Sequence, residues 1–242
     1  MDENVIVRPA IGRSGLTTQA YEALKEQILD QTIAPGARIN IDQLVAELGV
    51  SSTPIREALA RLLSERLVSF APYIGYSAAP IHDDAWFYDM VDFRVMLEGA
   101  AAEKGAPRRD PQTIASLAAA FEEMGNSGLG HHYRKYARFN NADARFHQTI
   151  VASADNRVFV QVYNDMQPHV HYARLYLSRG VEEETDVADE HMSILAAYRA
   201  GDGEAAKAAV VAHLQAAGSR LLKSAAIARA RVGEAAGRPK KR

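Results

Sequence analysis

Four residues in the second half of the sequence have the types and spacing to hold a metal ion. Asp143 and His147 are four residues apart in the string DARFHQTI, which places both side chains on one face of a predicted helix. His191 lies in DEHMSIL and His213 in VVAHLQAA, each within a later predicted helix. One carboxylate and three imidazoles suit a divalent transition ion, with zinc as the first candidate and nickel or manganese as the others. Helical bundles commonly build such sites from facing side chains.

A simpler interpretation of the same residues stays open at this point. His213 would be a hydrogen-bonded histidine of the core, because Ala and Val surround it, and Asp143 with His147 would be a surface pair. His169 and His171 are two residues apart, on opposite sides of a predicted helix, so they cannot chelate one ion together. We assign no role to these two histidines.

The elements that must position the candidate ligands are helices, since almost the whole second part of the chain has a helical pattern. The breaks coincide with Pro107, Gly125, Asn156, Gly180 and Gly201. We interpret Asn156 as a helix cap rather than as a ligand. Six helices are predicted, at about 83–105, 111–125, 132–153, 157–179, 184–200 and 203–230.

The N-terminal third of the chain has a different pattern, which predicts three helices and a hairpin. Leu24 and Ile28 share one apolar face, and Asn40 has the position of an N-cap ahead of a short second helix. A third helix is predicted after the hydroxyl caps that begin at Ser51, with proline at its first position. Two short strands flank the turn PYIG at residues 72–75. This order of elements is typical of a winged helix-turn-helix.

The start of the third helix has the chemistry to bind DNA. Free N–H groups and the positive end of the helix dipole attract phosphate there, and hydroxyl side chains can bond to phosphates or base edges. An arginine one turn further along can reach guanine in the major groove, and a glycine lets the hairpin approach the DNA backbone closely. The candidate DNA-binding residues are Ser51, Ser52, Thr53, Arg56, Arg61 and Gly75.

The same stretch resembles the DNA-binding domain of GntR-family transcription regulators. The resemblance rests on PGARINIDQLVAELGVSS followed by TPIREALARLLSERLV. In that family the start of the recognition helix contacts the operator, which implies contacts from Ser51, Ser52, Thr53 and Arg56, with Gly75 at the wing tip. Family members often have Arg where Ser52 stands here, so the operator sequence does not carry over.

The helical region resembles the FCD ligand-binding domain of the FadR branch of these regulators. Many members have Asp-x-x-x-His, then a His in a later helix and a His in the last helix. Asp143, His147, His191 and His213 match this pattern in order. The resemblance therefore implies that the four residues bind metal, and six helices favour the VanR-like subgroup over the seven-helix FadR-like one.

Arg94 is the candidate effector-binding residue. It lies in DFRVMLEGAAAEKGA, which matches the F-R-x-x-L-E string of the family's first effector-domain helix, where the Arg commonly faces the pocket. A guanidinium fork opposite a metal would receive a carboxylate. The alternative is an ion pair within the helix between Arg94 and Glu98, four residues further on.

Composition limits the remaining possibilities. The chain has 242 residues, no cysteine and a formal net charge of −2, which excludes disulfide frameworks, thiolate zinc fingers and thiol nucleophiles. No window approaches ~18 consecutive apolar residues and the N-terminus lacks a signal-peptide pattern, so we expect a cytoplasmic protein with no membrane partner. The predicted organisation is a flexible arm at 1–17, a winged helix-turn-helix at 18–79, an all-helical metal- and effector-binding domain at 80–230 and a basic disordered tail at 231–242.

These features together predict a mainly α protein that regulates transcription. We expect a homodimer that binds a double-stranded DNA operator and represses, with activation left open. A small carboxylate bound at the metal site would control operator affinity. Two alternatives remain: a metal-dependent enzyme with an attached DNA-binding domain, and a sensor for the metal ion itself. The sequence has no evident general base and no HExxH arrangement to support the enzyme alternative, so we predict that the protein is not an enzyme.

Overall fold

The computed structural model describes residues 13–127, 130, 132–166, 169, 171 and 185–236. Contacts divide the chain into two compact units that meet in sequence between Ala79 and Pro80, with Leu29–Gln31 counted in the second. The elements of the first unit are α1 (Arg13–Leu29), α2 (Ile41–Leu48), α3 (Ser52–Ser64), β1 (Val68–Ala71) and β2 (Gly75–Ala78).

The helices of the helix-turn-helix begin and end where local groups satisfy the backbone. Asn40 Oδ1 accepts hydrogen bonds from the backbone N–H groups of Asp42 (2.9 Å) and Gln43 (3.2 Å), so the predicted cap of α2 is confirmed. Gly49 ends α2 at φ +65°, a left-handed conformation that favours glycine. Pro54 is the third residue of α3 rather than the first. A proline is tolerated there because the first four N–H groups of a helix have no helical partner.

The wing is a two-stranded antiparallel hairpin. Four residue pairs join its strands, from Val68 opposite Ala78 to Ala71 opposite Gly75. The resemblance placed Gly75 at the wing tip, but Gly75 is the first residue of β2, because the three residues before it form the turn. Its φ of +90° favours glycine at this position. The turn presents a fully exposed Tyr73 instead.

Aliphatic side chains from α1 and α3 form most of the core of the first unit. Burial of each contributes roughly 1.5–3 kcal/mol relative to exposure. Leu63 is 38% exposed, since the neighbouring Leu62 takes the inward position. The fully buried residues include Leu24, Ile28, Ile55, Leu59, Leu62 and Leu67.

Both outer helices extend into segments predicted to be irregular. α1 begins at Arg13, so residues 13–17 of the predicted flexible arm are helical. Thr17 Oγ1 donates a hydrogen bond to Glu57 Oε2 of α3 (2.7 Å), and this long-range contact fixes the first turns of α1. The last helix continues to Ala236, because alanine and arginine are strong helix formers. Residues 1–12 and 237–242 lie outside the described part of the chain.

The second unit is helical, which confirms the mainly α fold class with its small hairpin wing. Of the predicted helix 157–179, the part after Met166 lies outside the described residues except for 169 and 171. The helix count that favoured the VanR-like subgroup depends on this part. None of the helices described is long and apolar enough to cross a bilayer. The unit contains α4 (Asp84–Gly105), a 3₁₀ turn (Ala106–Arg108), α5 (Pro111–Gly125), α6 (Tyr133–Ser153), α7 (Arg157–Met166), α8 (Thr185–Ala200) and α9 (Gly203–Ala236).

One apolar cluster joins the helices that carry the candidate site. Phe146 and Ile150 of α6 pack with Ile194 of α8 and Val210 of α9. α4 approaches α6 closely at Gly105, where an added Cβ would lie 1.8 Å from Ser153 Oγ. Such close-packed interiors have low compressibility. The side chains of the site are therefore positioned by a rigid frame.

Candidate functional site

The four predicted metal ligands come together inside the second unit. Asp143 and His147 on α6, His191 on α8 and His213 on α9 are all buried, and one ligand atom of each lies within 4.8 Å of the others. His191 Nε2 is 3.0 Å from Asp143 Oδ1, and His213 Nε2 is 3.2 Å from His147 Nε2. Atoms that bind one ion at ~2 Å lie about 3 Å apart. The spacing therefore fits a common ion.

The outer nitrogen of each imidazole contacts an oxygen that can only accept a hydrogen bond. The pairs are His147 Nδ1 with Glu98 Oε2 (2.6 Å), His191 Nδ1 with the Val187 carbonyl (2.8 Å) and His213 Nδ1 with Glu190 Oε2 (2.8 Å). Each Nδ1 must therefore carry a proton and donate it. A neutral imidazole has one N–H, so Nε2 then presents its lone pair towards the centre.

Lone pairs consequently face one another at the centre of the cluster. His147 Nε2 and His213 Nε2 both accept, and neither has a proton to donate to the other. Burial and the nearby His191 lower the pKa of His213 to about 3, so its ring is neutral at neutral pH. His191 Nε2 faces Asp143 Oδ1 in the same way. Acceptors at such distances repel unless a cation lies between them, and the donor set therefore fits a metal ion.

Arg94 reaches the cluster through Glu98. Arg94 Nε donates a hydrogen bond to Glu98 Oε1 (2.5 Å), and these side chains are 1% and 0% exposed. The ion pair within α4 therefore exists, but it is buried rather than solvated. Burial raises the pKa of Glu98, yet the charge of Arg94 and the hydrogen bonds from His147 and Arg94 outweigh this and lower the pKa to about 2. Glu98 is thus a carboxylate that links the predicted effector residue to a predicted ligand.

Glu190 is a second carboxylate that sequence reasoning missed. It precedes His191 in the chain but contacts His213, and it also accepts two hydrogen bonds from the Arg220 guanidinium (2.9 and 2.8 Å). Burial raises the pKa of Glu190, while His213 and Arg220 together lower it to about 2. Its ionised form therefore fixes the orientation of the His213 ring. The sequence gives no spacing signal for this contact, because it joins two different helices.

His169 lies beside the site, although the sequence suggested no role for it. Its Nδ1 is 3.1 Å from Asp143 Oδ2, and its Nε2 is 2.8 Å from the Tyr163 hydroxyl. Burial lowers the pKa of His169 to about 4. Burial raises the pKa of Asp143, but the contact with His169 holds it well below its usual range. The two oxygens of Asp143 thus face different imidazoles.

His171 belongs to a separate cluster of aromatic rings at the start of α4. The Trp86 indole stacks on the His82 ring, with centroids 3.8 Å apart and planes 10° from parallel. The His171 ring is 4.6 Å from Trp86, and Phe87 meets the indole edge-on at 5.3 Å. His169 therefore contacts the Asp143 carboxylate, and His171 contacts the rings at the beginning of α4.

The candidate DNA-binding residues lie on the exposed face of the first unit. Ser51, Ser52 and Thr53 are exposed at the N-terminus of α3. Arg56 follows them on the same exposed surface, and within the described chain no hydrogen bond or ion pair holds it. Pro54, between them, is buried. The start of the helix therefore exposes its polar groups, while the buried proline anchors it to the core.

Arg61 differs from Arg56 because it has partners in its own domain. Its guanidinium carbon lies 3.6 Å from the centroid of the Tyr21 ring, and its Nε donates to Glu65 Oε1 (3.3 Å). Tyr21 in turn donates its hydroxyl proton to the same carboxylate (2.7 Å). Arg61 therefore connects α3 to α1, a role that the helical pattern alone did not indicate.

Two family models match the chain, and together they cover both units. Residues 16–76 match the model for bacterial regulatory proteins of the gntR family. Residues 89–216, more than half of the chain, match the FCD domain. The first match contains the helix-turn-helix, and the second contains all four candidate metal ligands.

Relatives of similar length are named as transcription regulators. The Nta operon transcriptional regulator of Aminobacter aminovorans is 31% identical over 75% of this chain and 82% of its own length. The gluconate operon transcriptional repressor of Bacillus subtilis is 26% identical over 84% of each chain. The solved structure of McbR/YncC from E. coli superposes with a TM-score of 0.61, at 25% identity over 86% of this chain and 97% of that one. The chain belongs to the gntR family of bacterial regulatory proteins, which are transcription regulators rather than enzymes, and its second domain is an FCD domain.

Proposed function

We propose that a small carboxylate, bound at a divalent metal ion in the second unit, controls the affinity of this DNA-binding regulator for its operator. The observation that carries the proposal is the set of buried acceptor atoms that face one another, with His147 Nε2 only 3.2 Å from His213 Nε2. A cation removes this repulsion, and a cation in a protein interior attracts an anion.

Asp143, His147, His191 and His213 would hold the ion, with zinc as the first candidate and nickel or manganese as alternatives. When bound, the ion supplies positive charge and coordination positions that a carboxylate oxygen can take. The surrounding acceptors keep the imidazoles in the ligating tautomer. Partners of this kind typically change metal affinity by about 10- to 100-fold when they are removed.

Arg94 would receive the carboxylate of the effector. A guanidinium has five N–H groups in a planar fork, and Glu98 accepts a hydrogen bond from the N–H on Nε. The buried Glu98 holds the plane of the guanidinium in place, so its orientation is set before any ligand arrives. Pre-organisation of this kind improves affinity because less conformational entropy is lost on binding.

On the DNA side, Ser51, Ser52, Thr53 and Arg56 would contact the operator from the N-terminus of α3. A homodimer would present two such helices to successive major grooves of a pseudo-palindrome. Repression is the expected outcome, and two relatives support it: the gluconate operon transcriptional repressor and a D-xylose utilization operon repressor. Gly75 would let the wing approach the sugar-phosphate backbone closely.

The decisive experiment measures whether metal, acid and DNA are linked. A panel of short carboxylic acids and sugar acids is screened for thermal stabilisation of metal-loaded protein and of chelator-treated protein. Acids that stabilise only the metal-loaded form are then added to a gel-shift titration of the DNA upstream of the protein's own gene. We expect at least one acid to change operator affinity by about 5- to 150-fold, the usual range of coupling between sites.

Two results would contradict the proposal. If no acid stabilises the metal-loaded protein, the second unit does not bind a carboxylate in this way. If metal alone changes operator affinity and no acid adds to that change, the ion itself is the signal. The second result would make the protein a metal sensor.

A further inference from the structure

The face of α6 that carries the candidate ligands continues for two turns before Asp143. Tyr136, Asn140, Asp143 and His147 follow one another at spacings of four, three and four residues, so they form one stripe along the helix. All four are buried, with Asn140 only 7% exposed. The apolar packing of α6 is provided by other positions, such as Phe146 and Ile150. The buried polar members of the stripe are Asn140, Asp143 and His147, whereas Tyr136 belongs to the apolar core.

Asn140 is the member of this stripe that the metal site leaves unexplained. Within the described structure, its buried Oδ1 accepts no hydrogen bond. A buried polar atom without a partner costs about 1–3 kcal/mol, and such groups are rare in native proteins. Leucine has a similar size and would occupy the same position without this cost. The amide therefore points to a partner that the chain itself does not supply.

We propose that the Asn140 amide binds a hydroxyl group of the effector, which makes the effector a hydroxycarboxylic acid. This inference rests on the proposed function. Asn140 is one helical turn from Asp143, about 4.5 Å along the axis, so a group held there would be one or a few bonds from a carboxylate at the metal. A hydroxyl both donates and accepts, so it can pair with the amide in either orientation of its oxygen and nitrogen. An alkyl chain at the same place would leave the amide unpaired.

The test compares pairs of acids that differ only in the hydroxyl group. Lactate is compared with propionate, and 3-hydroxybutyrate with butyrate, by calorimetric titration into metal-loaded wild type and N140L protein. We expect the wild type to prefer one hydroxy acid by tenfold or more, and N140L to lose about tenfold of that preference. Any contact between the hydroxyl and the metal is common to both proteins, so it cancels when the two preferences are compared.

A second measurement separates ligand recognition from a structural role. N140L should melt at the same temperature as wild type or higher when no acid is present, because the unpaired amide is gone. A structural asparagine would instead give a lower melting temperature. N141L is the matched control, since Asn141 is exposed on the same helix and should change neither preference nor melting.

The outcomes distinguish this inference from the proposed function. If acids bind the metal-loaded wild type but N140L keeps the full preference, Asn140 does not bind the hydroxyl, while the carboxylate site stands. Equal binding of both members of each pair by wild type has the same meaning. If no acid binds the metal-loaded wild type at all, both the carboxylate site and the role of Asn140 are overturned.

Discussion

Arg56 and Arg61 are five residues apart on α3, yet the structure assigns them different surroundings. Arg56 extends from the exposed surface next to the helix N-terminus, whereas Arg61 lies against Tyr21 and Glu65. R56A should therefore weaken operator binding by ~1–3 kcal/mol without changing the melting temperature. Gel-shift titration at fixed salt measures the affinity, because phosphate contacts make it salt-dependent.

R61A provides the matched comparison for this prediction. R61A should lower the free energy of unfolding by about 0.5–1 kcal/mol, because a cation–π contact near the surface is lost. The preference of the protein for its operator sequence should change less. If R56A binds the operator as tightly as wild type at the same salt concentration, Arg56 is not a DNA contact.

His213 tests the metal cluster, because its ring is held by Glu190 on one side and faces His147 on the other. H213Q keeps much of the volume but replaces the imidazole nitrogen by an amide oxygen, a weaker ligand for such an ion, so metal affinity should fall by about 100-fold. Elemental analysis of purified protein measures the metal content. Chelator should lower the melting temperature of wild type but leave that of H213Q unchanged, since only a bound ion stabilises by mass action.

H132Q is a suitable control, because His132 is exposed and should leave both measurements as in wild type. Full metal occupancy in H213Q would show that His213 is an ordinary core histidine.

Local signals in the sequence pointed to some of the candidate ligands, and the resemblance to the FCD domain implied the full set of four. Asp143 and His147 share a helical face at a spacing of four, and His213 is surrounded by small apolar residues. Their outer partners could not be identified in this way. Glu98 is 49 residues from His147, and Glu190 contacts His213 rather than its neighbour. Contacts between helices depend on how the helices pack, and the spacing of residues within one helix gives no information about that packing.

At the scale of elements, one buried tyrosine, Tyr21, contributes to the contact between α1 and α3. Burial and the Glu65 carboxylate raise the pKa of Tyr21 well above its usual value of ~10. Above pH ~10 the unfolded chain therefore loses this proton while the folded chain keeps it, and the free energy of unfolding falls as pH rises. Y21F should cost about 1 kcal/mol at pH 7 and should lose less stability than wild type between pH 10 and 11.

Chemical denaturation followed by circular dichroism at each pH measures this difference. Y88F serves as the control, since Tyr88 is exposed on α4. An identical alkaline response in Y21F and wild type would show that the Tyr21 proton does not contribute.

Helix boundaries were predictable where a side chain caps the backbone. Asp110 accepts a hydrogen bond from the backbone N–H of Thr113 (2.8 Å), and Asn156 caps α7 as expected. The start of α1 was not predictable, because its first turns depend on Thr17 reaching Glu57, forty residues away. The end of α9 was placed six residues too early, since alanine-rich helices end without a strong signal.

For the whole molecule, the proposal requires that the acid and the operator influence each other's binding by the same factor. A substitution at Arg94 tests this linkage, because it changes the proposed acid site without changing a DNA-contacting residue. R94A would leave the buried Glu98 carboxylate without its main partner and cost about 3–5 kcal/mol, so R94K is the better variant. Lysine retains the charge but lacks the bidentate fork, so R94K should weaken binding of the acid by tenfold or more. Operator binding without the acid should stay at the wild-type value.

Titration of R94K with acid and with DNA, each with and without the other, completes the thermodynamic cycle. Metal content should stay at the wild-type level, which serves as the control for folding of the site. Unchanged affinity for the acid would remove Arg94 from the effector site.

Trp86 is the single tryptophan of the chain, and its indole stacks on His82 and contacts His171. The residue two positions before His171 is His169, which touches the Asp143 carboxylate. All intrinsic indole fluorescence of the protein therefore comes from one ring, which lies next to His171, two residues from a histidine that contacts a candidate metal ligand. A shift of His169 or His171 when the ion or an acid arrives would change the quenching of that ring. Ligand binding can thus be followed by emission from the unlabelled, full-length chain, without a dye and without DNA.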